Sequence, residues 1–196
     1  MSSRTGHIQR KTSETDIDLS FTTEGSGESN INTGIGFFDH MLTALTRHGL
    51  FDLTVTCKGD LDIDAHHTVE DVGICLGQAL SDALGDKKGI TRFASAYVPM
   101  DEALARAVID LSGRGHLVYT ADFTEEIVGA FPTALGQEFF TALAHNGRMN
   151  LHIDLIRGNN AHHGMEAIFK AVARTLRQAV ALDDRVSGVP STKGSL

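Results

Sequence analysis

Two copies of a His-His-x-x-Glu motif are the residues of this chain best suited to chemistry. On a helix, the glutamate lies three and four positions after the two histidines, so an imidazole and a carboxylate can meet at one ion. The adjacent histidines diverge by about 100° and therefore suit two different metal ions. A merely polar surface has no reason to keep the same three side chains twice, so the pattern predicts metal sites. The motif residues are His66, His67, Glu70, His162, His163 and Glu166.

An internal alignment adds one ligand-type residue to each motif. Residues 39–55 align without gaps on residues 137–153, and this places His40 over Glu138. With the six motif side chains, the chain then offers five imidazoles and three carboxylates. This hard nitrogen and oxygen set has no sulfur, and it suits manganese, iron or another six-coordinate ion better than a structural zinc.

The elements that must position these residues follow the same order in both halves. Helical spacing stops before Gly49 and again before Gly147, and a segment of strand period follows each glycine. Gly59 or Gly158 then turns the chain into the motif, which opens a second helix with one apolar stripe. A strand-rich region precedes each unit. The pattern predicts two packed α+β halves.

We expect one domain over residues 1–196, made of two repeats at about 1–88 and 89–186 and followed by a tail at 187–196. The length of 196 residues fits one globular core. The net charge of −8 argues against nucleic acid or an anionic membrane as a partner. No apolar run approaches the roughly 18 residues of a membrane span, so we expect a cytoplasmic protein. Cys57 and Cys75 form no C-x-x-C pair and are interpreted as buried thiols.

Six stretches, two of which contain the motifs, give the chain a resemblance to the imidazoleglycerol-phosphate dehydratases, of the monofunctional bacterial type, over almost its whole length. They are Thr33-Gly34-Ile35-Gly36-Phe37-Phe38-Asp39-His40-Met41-Leu42, Ala65-His66-His67-Thr68-Val69-Glu70-Asp71, Pro99-Met100-Asp101-Glu102, Leu111-Ser112-Gly113-Arg114, His162-His163-Gly164-Met165-Glu166-Ala167 and Pro190-Ser191-Thr192-Lys193-Gly194. The resemblance implies a fold of duplicated ββαββα halves, similar to ribosomal protein S5 domain 2. It also implies two manganese ions per active site and a closed homo-oligomer, a 24-mer with active sites between subunits. Many relatives have histidine where this chain has Glu138, which leaves that ligand open.

The implied reaction removes water from D-erythro-imidazoleglycerol phosphate to give imidazole acetol phosphate, a step of histidine biosynthesis. The hydrogen that is lost has no neighbouring carbonyl to acidify it. One metal ion on each ring nitrogen favours a metal-bound imidazolate, which expels the adjacent hydroxyl through a diazafulvene-like intermediate. The carbon-bound hydrogen becomes acidic only after that step, which explains the need for two ions.

The resemblance also assigns roles to single residues. Glu14 is implied as the carboxylate that takes the carbon proton and contacts substrate, and Asp101 as an acid that orients the substrate. Glu70 and Glu166 are counted as catalytic through the metal. The residues implied to bind the substrate phosphate are Arg92, Arg114, Lys170, Ser191 and Lys193.

Two alternatives stay open on the residues alone. A binuclear metallohydrolase that activates water uses much the same ligands. A metal-storage or metal-sensing protein can also carry duplicated ligand sets. The first predicts hydrolysis without dehydration, and the second predicts no role for Arg114 or Lys193.

Overall fold

The computed structural model describes residues 3–196, which form two halves with the same succession of elements. The first half contains β1 (Thr5–Lys11), β2 (Thr15–Thr22), β3 (Ser29–Asn32), α1 (Gly36–Gly49), β4 (Asp52–Gly59) and α2 (His66–Leu84). The second half contains β5 (Phe93–Met100), β6 (Ala103–Asp110), β7 (His116–Thr120), β8 (Ile127–Val128), β9 (Phe131–Pro132), α3 (Leu135–Asn146), β10 (Asn150–Arg157) and α4 (Ala161–Val180).

Each half builds a four-stranded sheet with the same strand order. The orders are β1-β2-β4-β3 and β5-β6-β10-β7. In each sheet three strands run antiparallel, and the fourth, β3 or β7, pairs parallel to its neighbour at the edge. The predicted α+β architecture of duplicated halves is confirmed. The division of the repeats at residue 88 stays a prediction.

The order within a half is βββαβα, whereas the family resemblance implied halves of the type ββαββα. The difference arises because the short third strand, Ser29–Asn32 in the first half, comes before the first helix. This strand has little apolar character and pairs only at the sheet edge, so it carries a weak strand signal. The second half also inserts the β8–β9 hairpin before α3.

The four helices lie between the two sheets. Helix α2 packs across β1, β2 and β4, while α4 packs across β5 and β6; α2 also contacts α3, and α1 contacts α4. Two glycines let α2 and α3 approach closely, since a Cβ at Gly73 would lie 2.8 Å from the carbonyl oxygen of Phe139, and one at Gly77 would lie 2.7 Å from the amide nitrogen of Gly147. The α1–α4 contact brings helices of different halves side by side.

The outward faces of the two sheets differ in polarity. The first sheet presents polar pairs such as His7 with Asp18 and Lys11 with Asp16. The second sheet presents exposed apolar side chains, among them Phe93 at 57% and Tyr97 at 59% exposure. Exposed apolar side chains on one face are typical of a surface that binds another protein.

Neither a membrane span nor a reactive thiol is found in the part of the chain that the structure describes. None of its helices is both long and apolar enough to cross a bilayer. Cys57 and Cys75 are buried and free. Burial raises the pKa of the Cys57 thiol to about 11 and that of Cys75 to about 12, so both stay protonated.

Candidate metal centre

Three of the predicted ligands meet between the two halves. His40 comes from α1 of the first half, and His162 and Glu166 come from the first turns of α4 in the second half. One ligand atom from each lies within 4.8 Å of the others. The Nε2 atoms of His40 and His162 are each 3.2 Å from Oε2 of Glu166. Across residues 3–196, this is the group of histidine and carboxylate side chains compact enough for one ion.

Glu166 is held in its charged form by a lysine from the same helix. Its carboxylate is buried, while the two imidazoles keep 49% and 42% of their side chains exposed. Lys170 Nζ lies 2.6 Å from Glu166 Oε1, four residues further along α4. Burial opposes the charge of Glu166, but the hydrogen bond and charge of Lys170 and the contact with His40 outweigh it, so the pKa of Glu166 lies below its ordinary value. The carboxylate therefore presents one anionic oxygen to the two imidazoles.

The second histidine of each motif points away from the first. The rings of His66 and His67 stand at 89° with centroids 6.0 Å apart, and those of His162 and His163 stand at 84° and 6.2 Å. Each second histidine uses Nδ1 to contact a carboxylate that the sequence did not indicate. His67 Nδ1 is 3.0 Å from Asp60 Oδ2, and His163 Nδ1 is 2.9 Å from Glu102 Oε2. A carboxylate at Nδ1 fixes the tautomer and leaves Nε2 as the ligand atom.

These two carboxylates also shift the titration of the histidines. The hydrogen bond to Asp60 raises the pKa of His67, and the hydrogen bond to Glu102 raises that of His163. In return, the contact with His163 lowers the pKa of Glu102 to about 2. A carboxylate–imidazole pair of this kind makes the imidazole more basic and a stronger metal ligand.

Glu14 and Asp101 occupy equivalent places in the two halves. Each lies in the turn of its first hairpin, Glu14 between β1 and β2 and Asp101 between β5 and β6. Glu14 Oε1 is 3.7 Å from Nε2 of His67, and Asp101 Oδ2 is 3.9 Å from Nε2 of His163. The structure therefore places an acidic side chain beside the free nitrogen of each second histidine.

The remaining predicted ligands are farther apart. His66 Nε2 and Glu70 Oε2 are 4.0 Å apart on the first turns of α2, and both side chains are more than 40% exposed. Glu138 lies on α3, partly buried, at the position that matches His40 on α1. Helix α3 packs on α2 as α1 packs on α4, so Glu138 belongs to the helix that contacts the motif helix of the first half.

Loop contacts fix where each motif helix begins. The side chain of Asn160 caps α4 by accepting a hydrogen bond from the amide of His163 at 3.1 Å. In the first half, Asp64 accepts from the amide of His66 at 2.7 Å. In both halves a side-chain oxygen from the preceding loop thus accepts from an amide that a helix start leaves free. The motif histidines consequently occupy the first turn, where their rings reach solvent.

The residues predicted to bind phosphate lie in two places. Arg92 makes a bidentate pair with Asp110, at 2.7 and 3.2 Å, and donates to the carbonyl of Pro190 in the tail at 2.7 Å. The end of the tail, Leu196, packs against Gly113, next to Arg114. Arg92 and Arg114 are thus brought to the tail that carries Ser191 and Lys193. Lys170 instead pairs with Glu166 at the metal cluster.

An apolar cleft of about 500 Å³ opens beside the cluster. It lies between the start of α1, the loop before α2 and the β8–β9 hairpin. Phe37 lines it, and the Phe37 ring lies 5.1 Å from the His162 ring and 5.5 Å from the Phe131 ring. The Phe37 ring therefore packs against one side of the His40 and His162 imidazoles.

The donor atoms of this centre fit a hard divalent cation. Imidazole nitrogens and carboxylate oxygens surround it, and the buried Cys57 and Cys75 are not part of it. Such a set suits a divalent transition-metal ion. A positively charged ion among exposed imidazoles can act as a Lewis acid toward a bound ring or hydroxyl.

Comparison with known proteins decides the family. The profile of the imidazoleglycerol-phosphate dehydratases matches residues 33–176. The chain belongs to the imidazoleglycerol-phosphate dehydratase family. It is 60% identical to the imidazoleglycerol-phosphate dehydratase of Acidiphilium cryptum, over 99% of this chain and 100% of that one. It is 58% identical to that of Bacillus subtilis, over 95% of this chain and 96% of the relative.

Solved structures of this family share the fold. The imidazoleglycerol-phosphate dehydratase of Staphylococcus aureus superposes with a TM-score of 0.83 at 44% identity, over 91% of this chain and 99% of that one. That of Pyrococcus furiosus, crystallised in complex with (S)-C348, gives 0.83 at 36% identity, over 96% and 100%. As an imidazoleglycerol-phosphate dehydratase, the protein is a hydro-lyase of histidine biosynthesis. This decides against the metallohydrolase and metal-storage alternatives.

Sequence reasoning missed Asp60 and Glu102 as partners of the second histidines, and Lys170 as the partner of Glu166. Asp60 and Glu102 lie seven and 61 residues from the histidines they contact, in loops with no helical register to those histidines. Lys170 does stand four residues after Glu166, a spacing that favours an ion pair on a helix. That spacing was the one available signal.

Proposed function

We propose that this dehydratase works with two manganese ions per active site, held by the eight predicted ligands. The observation that carries the proposal is the compact group of His40, His162 and Glu166, built from both halves of the chain. We propose that the related positions Glu138, His66 and Glu70 hold the second ion. The proposed ligands are His40, His66, His67, Glu70, Glu138, His162, His163 and Glu166.

We further propose that a second copy of the chain completes each site. His67 and His163 direct Nε2 away from the first histidine of their own motif, toward Glu14 or Asp101. A ligand that points out of its own cluster is suited to an ion on a neighbouring chain. The exposed Phe93 and Tyr97 of the second sheet favour self-association as well. We therefore propose a homo-oligomer, a 24-mer with active sites between subunits, and a cytoplasmic location in keeping with two free thiols.

Bound ions would act as Lewis acids on the imidazole ring of the substrate. The chain's own residues would do the rest. Glu14, exposed in a hairpin turn beside His67, would take the proton from carbon, and Asp101 would orient the substrate at the equivalent place. Glu70 and Glu166 would act through the metal. Lys170 would keep Glu166 charged and would also bind the substrate phosphate.

The phosphate would be held where the tail meets the second sheet. Arg92 already donates to the backbone of the tail, and its pairing with Asp110 fixes the guanidinium plane. Fixed cationic donors suit a phosphate because charge-assisted hydrogen bonds are the strong ones. Arg114, Ser191 and Lys193 would add donors from the neighbouring loop and the tail.

The direct test removes the metal. Protein treated with a chelator and then dialysed should not turn over imidazoleglycerol phosphate, and manganese should restore turnover with two ions bound per chain. Zinc and a buffer blank serve as comparisons. Turnover that ignores chelation contradicts the proposal, and so does full activity with a single ion per chain.

Glu138 should be needed for one of the two ions. Glu138→Ala is expected to lower bound manganese from two ions per chain to one, because His66 and Glu70 alone leave an incomplete set. Glu138→His should keep both, since imidazole is also a ligand. Inductively coupled plasma analysis after dialysis measures the ratio. Gln137→Ala, the exposed neighbour on α3, is the control, and two tightly bound ions in Glu138→Ala would remove Glu138 from the ligand set.

Manganese binding should weaken steeply as the pH falls. The pKa values of His67 and His163 lie above the ordinary 6.5, so both rings hold a proton at that pH and lose it only above it. Manganese binds neutral imidazole, so protons compete. The apparent affinity should rise as the pH is raised through and above 6.5, by about tenfold per pH unit for each ring that is still protonated.

Calorimetric titration of metal-stripped protein with manganese at several pH values measures this. Glu102→Gln removes the charge that raises the pKa of His163. In this variant the rise of manganese affinity with pH should therefore occur at lower pH. An affinity that stays flat across this range would show that neither histidine binds the metal.

A further inference from the structure

Asp71 is a buried carboxylate beside the metal motif that the reaction does not use. It follows Glu70 on α2 and is only 4% exposed. We propose that Asp71 is a positioning residue that holds the Glu14 turn against the motif helix. The inference rests on the proposed role of Glu14 in proton transfer.

Asp71 accepts hydrogen bonds from residues on both sides of the turn that carries Glu14. Arg10, near the end of β1, donates to Asp71 Oδ1 from Nη2 at 2.8 Å and from Nε at 3.2 Å. Thr15, the first residue of β2, donates from Oγ1 to Asp71 Oδ2 at 2.5 Å. Both carboxylate oxygens are thereby engaged, one by each strand of the hairpin.

Hydrogen bonds within the turn carry this restraint to Glu14. Thr12 Oγ1 accepts from the amides of Glu14 and Thr15, both at 3.0 Å. The amide of Thr12 donates to the carbonyl of Thr15 at 2.8 Å, and Asp60 donates its amide to the carbonyl of Glu14 at 3.0 Å. Since Asp60 also contacts His67 Nδ1, the turn, the loop and the histidine form one network.

The neighbouring residues Glu70 and Asp71 of α2 face different surroundings. Glu70 is 45% exposed and lies near His66, while the side chain of Asp71 is 6% exposed and faces the hairpin. A step of about 100° along the helix separates the two directions. Any displacement of α2 relative to the hairpin would change the distance of 3.7 Å from Glu14 to His67.

The second half shows that the fold itself does not need this carboxylate. Ala167 follows Glu166 where Asp71 follows Glu70, and Ala167 is fully buried against the second sheet. The residue of β5 that matches Arg10 is the buried Val98, since Arg10 pairs with Ile17 and Val98 pairs with the equivalent residue Ala105. The same α–β packing is thus built with apolar residues. Buried ion pairs generally add little stability over such residues, so the Arg10–Asp71 pair has another use.

The test compares Asp71→Ala with the double variant Arg10→Val and Asp71→Ala, which copies the matching residues Val98 and Ala167 of the second half. Amide hydrogen exchange at Glu14 and Thr15 in metal-stripped protein measures directly how often the hydrogen bonds of the turn open. We expect it to accelerate at least about tenfold in both variants, because the turn loses its anchor. In manganese-loaded protein kcat should fall by about 10²-fold with KM unchanged. The double variant should recover the melting temperature but not kcat.

Asp16→Ala, which breaks the exposed Lys11–Asp16 pair on the same hairpin, is the matched control and should change neither readout. Unchanged exchange at Glu14 and Thr15, or full kcat in the double variant, would overturn the inference. Glu14→Gln keeps the two questions apart. If that variant turns over normally, the proposed role of Glu14 fails, while exchange still reports whether Asp71 orders the turn.

Discussion

Replacement of Glu166 by glutamine is expected to lower kcat by about 10³-fold or more. Glutamine keeps the size of the side chain but loses the charge. Glu166 Oε2 is the atom that both His40 and His162 approach at 3.2 Å, so the change removes the only anion of that cluster. It also leaves Lys170 partly buried without its carboxylate partner.

Two measurements separate the chemical effect from a folding effect. Bound manganese should fall from two ions per chain to one, and kcat should be recorded well below the melting temperature of the variant. Glu28→Gln, an exposed glutamate before β3, provides the control for loss of one negative charge. Two bound ions and near-normal turnover in Glu166→Gln would exclude Glu166 as a ligand.

The second large effect is expected for Glu14→Gln, which should lower kcat by about 10²- to 10⁴-fold, the usual contribution of a general acid or base. Glu14 lies 3.7 Å from His67 and outside the compact ligand group. The variant should therefore bind manganese with normal stoichiometry and affinity. Its substrate KM should change far less than kcat, because the lost interaction is a proton transfer.

Steady-state kinetics and manganese titration on the same preparation test this separation. Ser13→Ala, the exposed neighbour in the same turn, should behave as the unmodified chain. If Glu14→Gln binds metal normally and keeps full turnover, Glu14 has no part in the mechanism. If it loses metal, Glu14 belongs to the ligand set instead.

Local spacing was enough to predict much of this molecule. The repeat, the helix that each motif opens and the α+β class all follow from periodicity and glycine position along the chain. The alignment of His40 with Glu138 also used only the chain itself. These inferences succeed because residues three and four apart on a helix meet whatever the tertiary fold.

Contacts between distant segments could not be predicted from the sequence. Asp60 and Glu102 approach the second histidines from loops, and the meeting of His40 with His162 depends on how α1 packs against α4. No periodic pattern encodes such contacts, since they depend on the packing of whole elements. The third strand carries a weak signal because three of its four residues are polar and it pairs only at a sheet edge.

The compact cluster takes His40 from one repeat and His162 with Glu166 from the other. A half-length ancestor with one motif would have had to pair with its own copy to assemble the same set, and its binding of metal would have depended on protein concentration. Joining the copies end to end makes that encounter intramolecular and sets a fixed, high effective concentration. After the copies are joined, the two equivalent positions no longer have to carry the same residue. One repeat can therefore keep a histidine at residue 40 while the other carries a glutamate at residue 138.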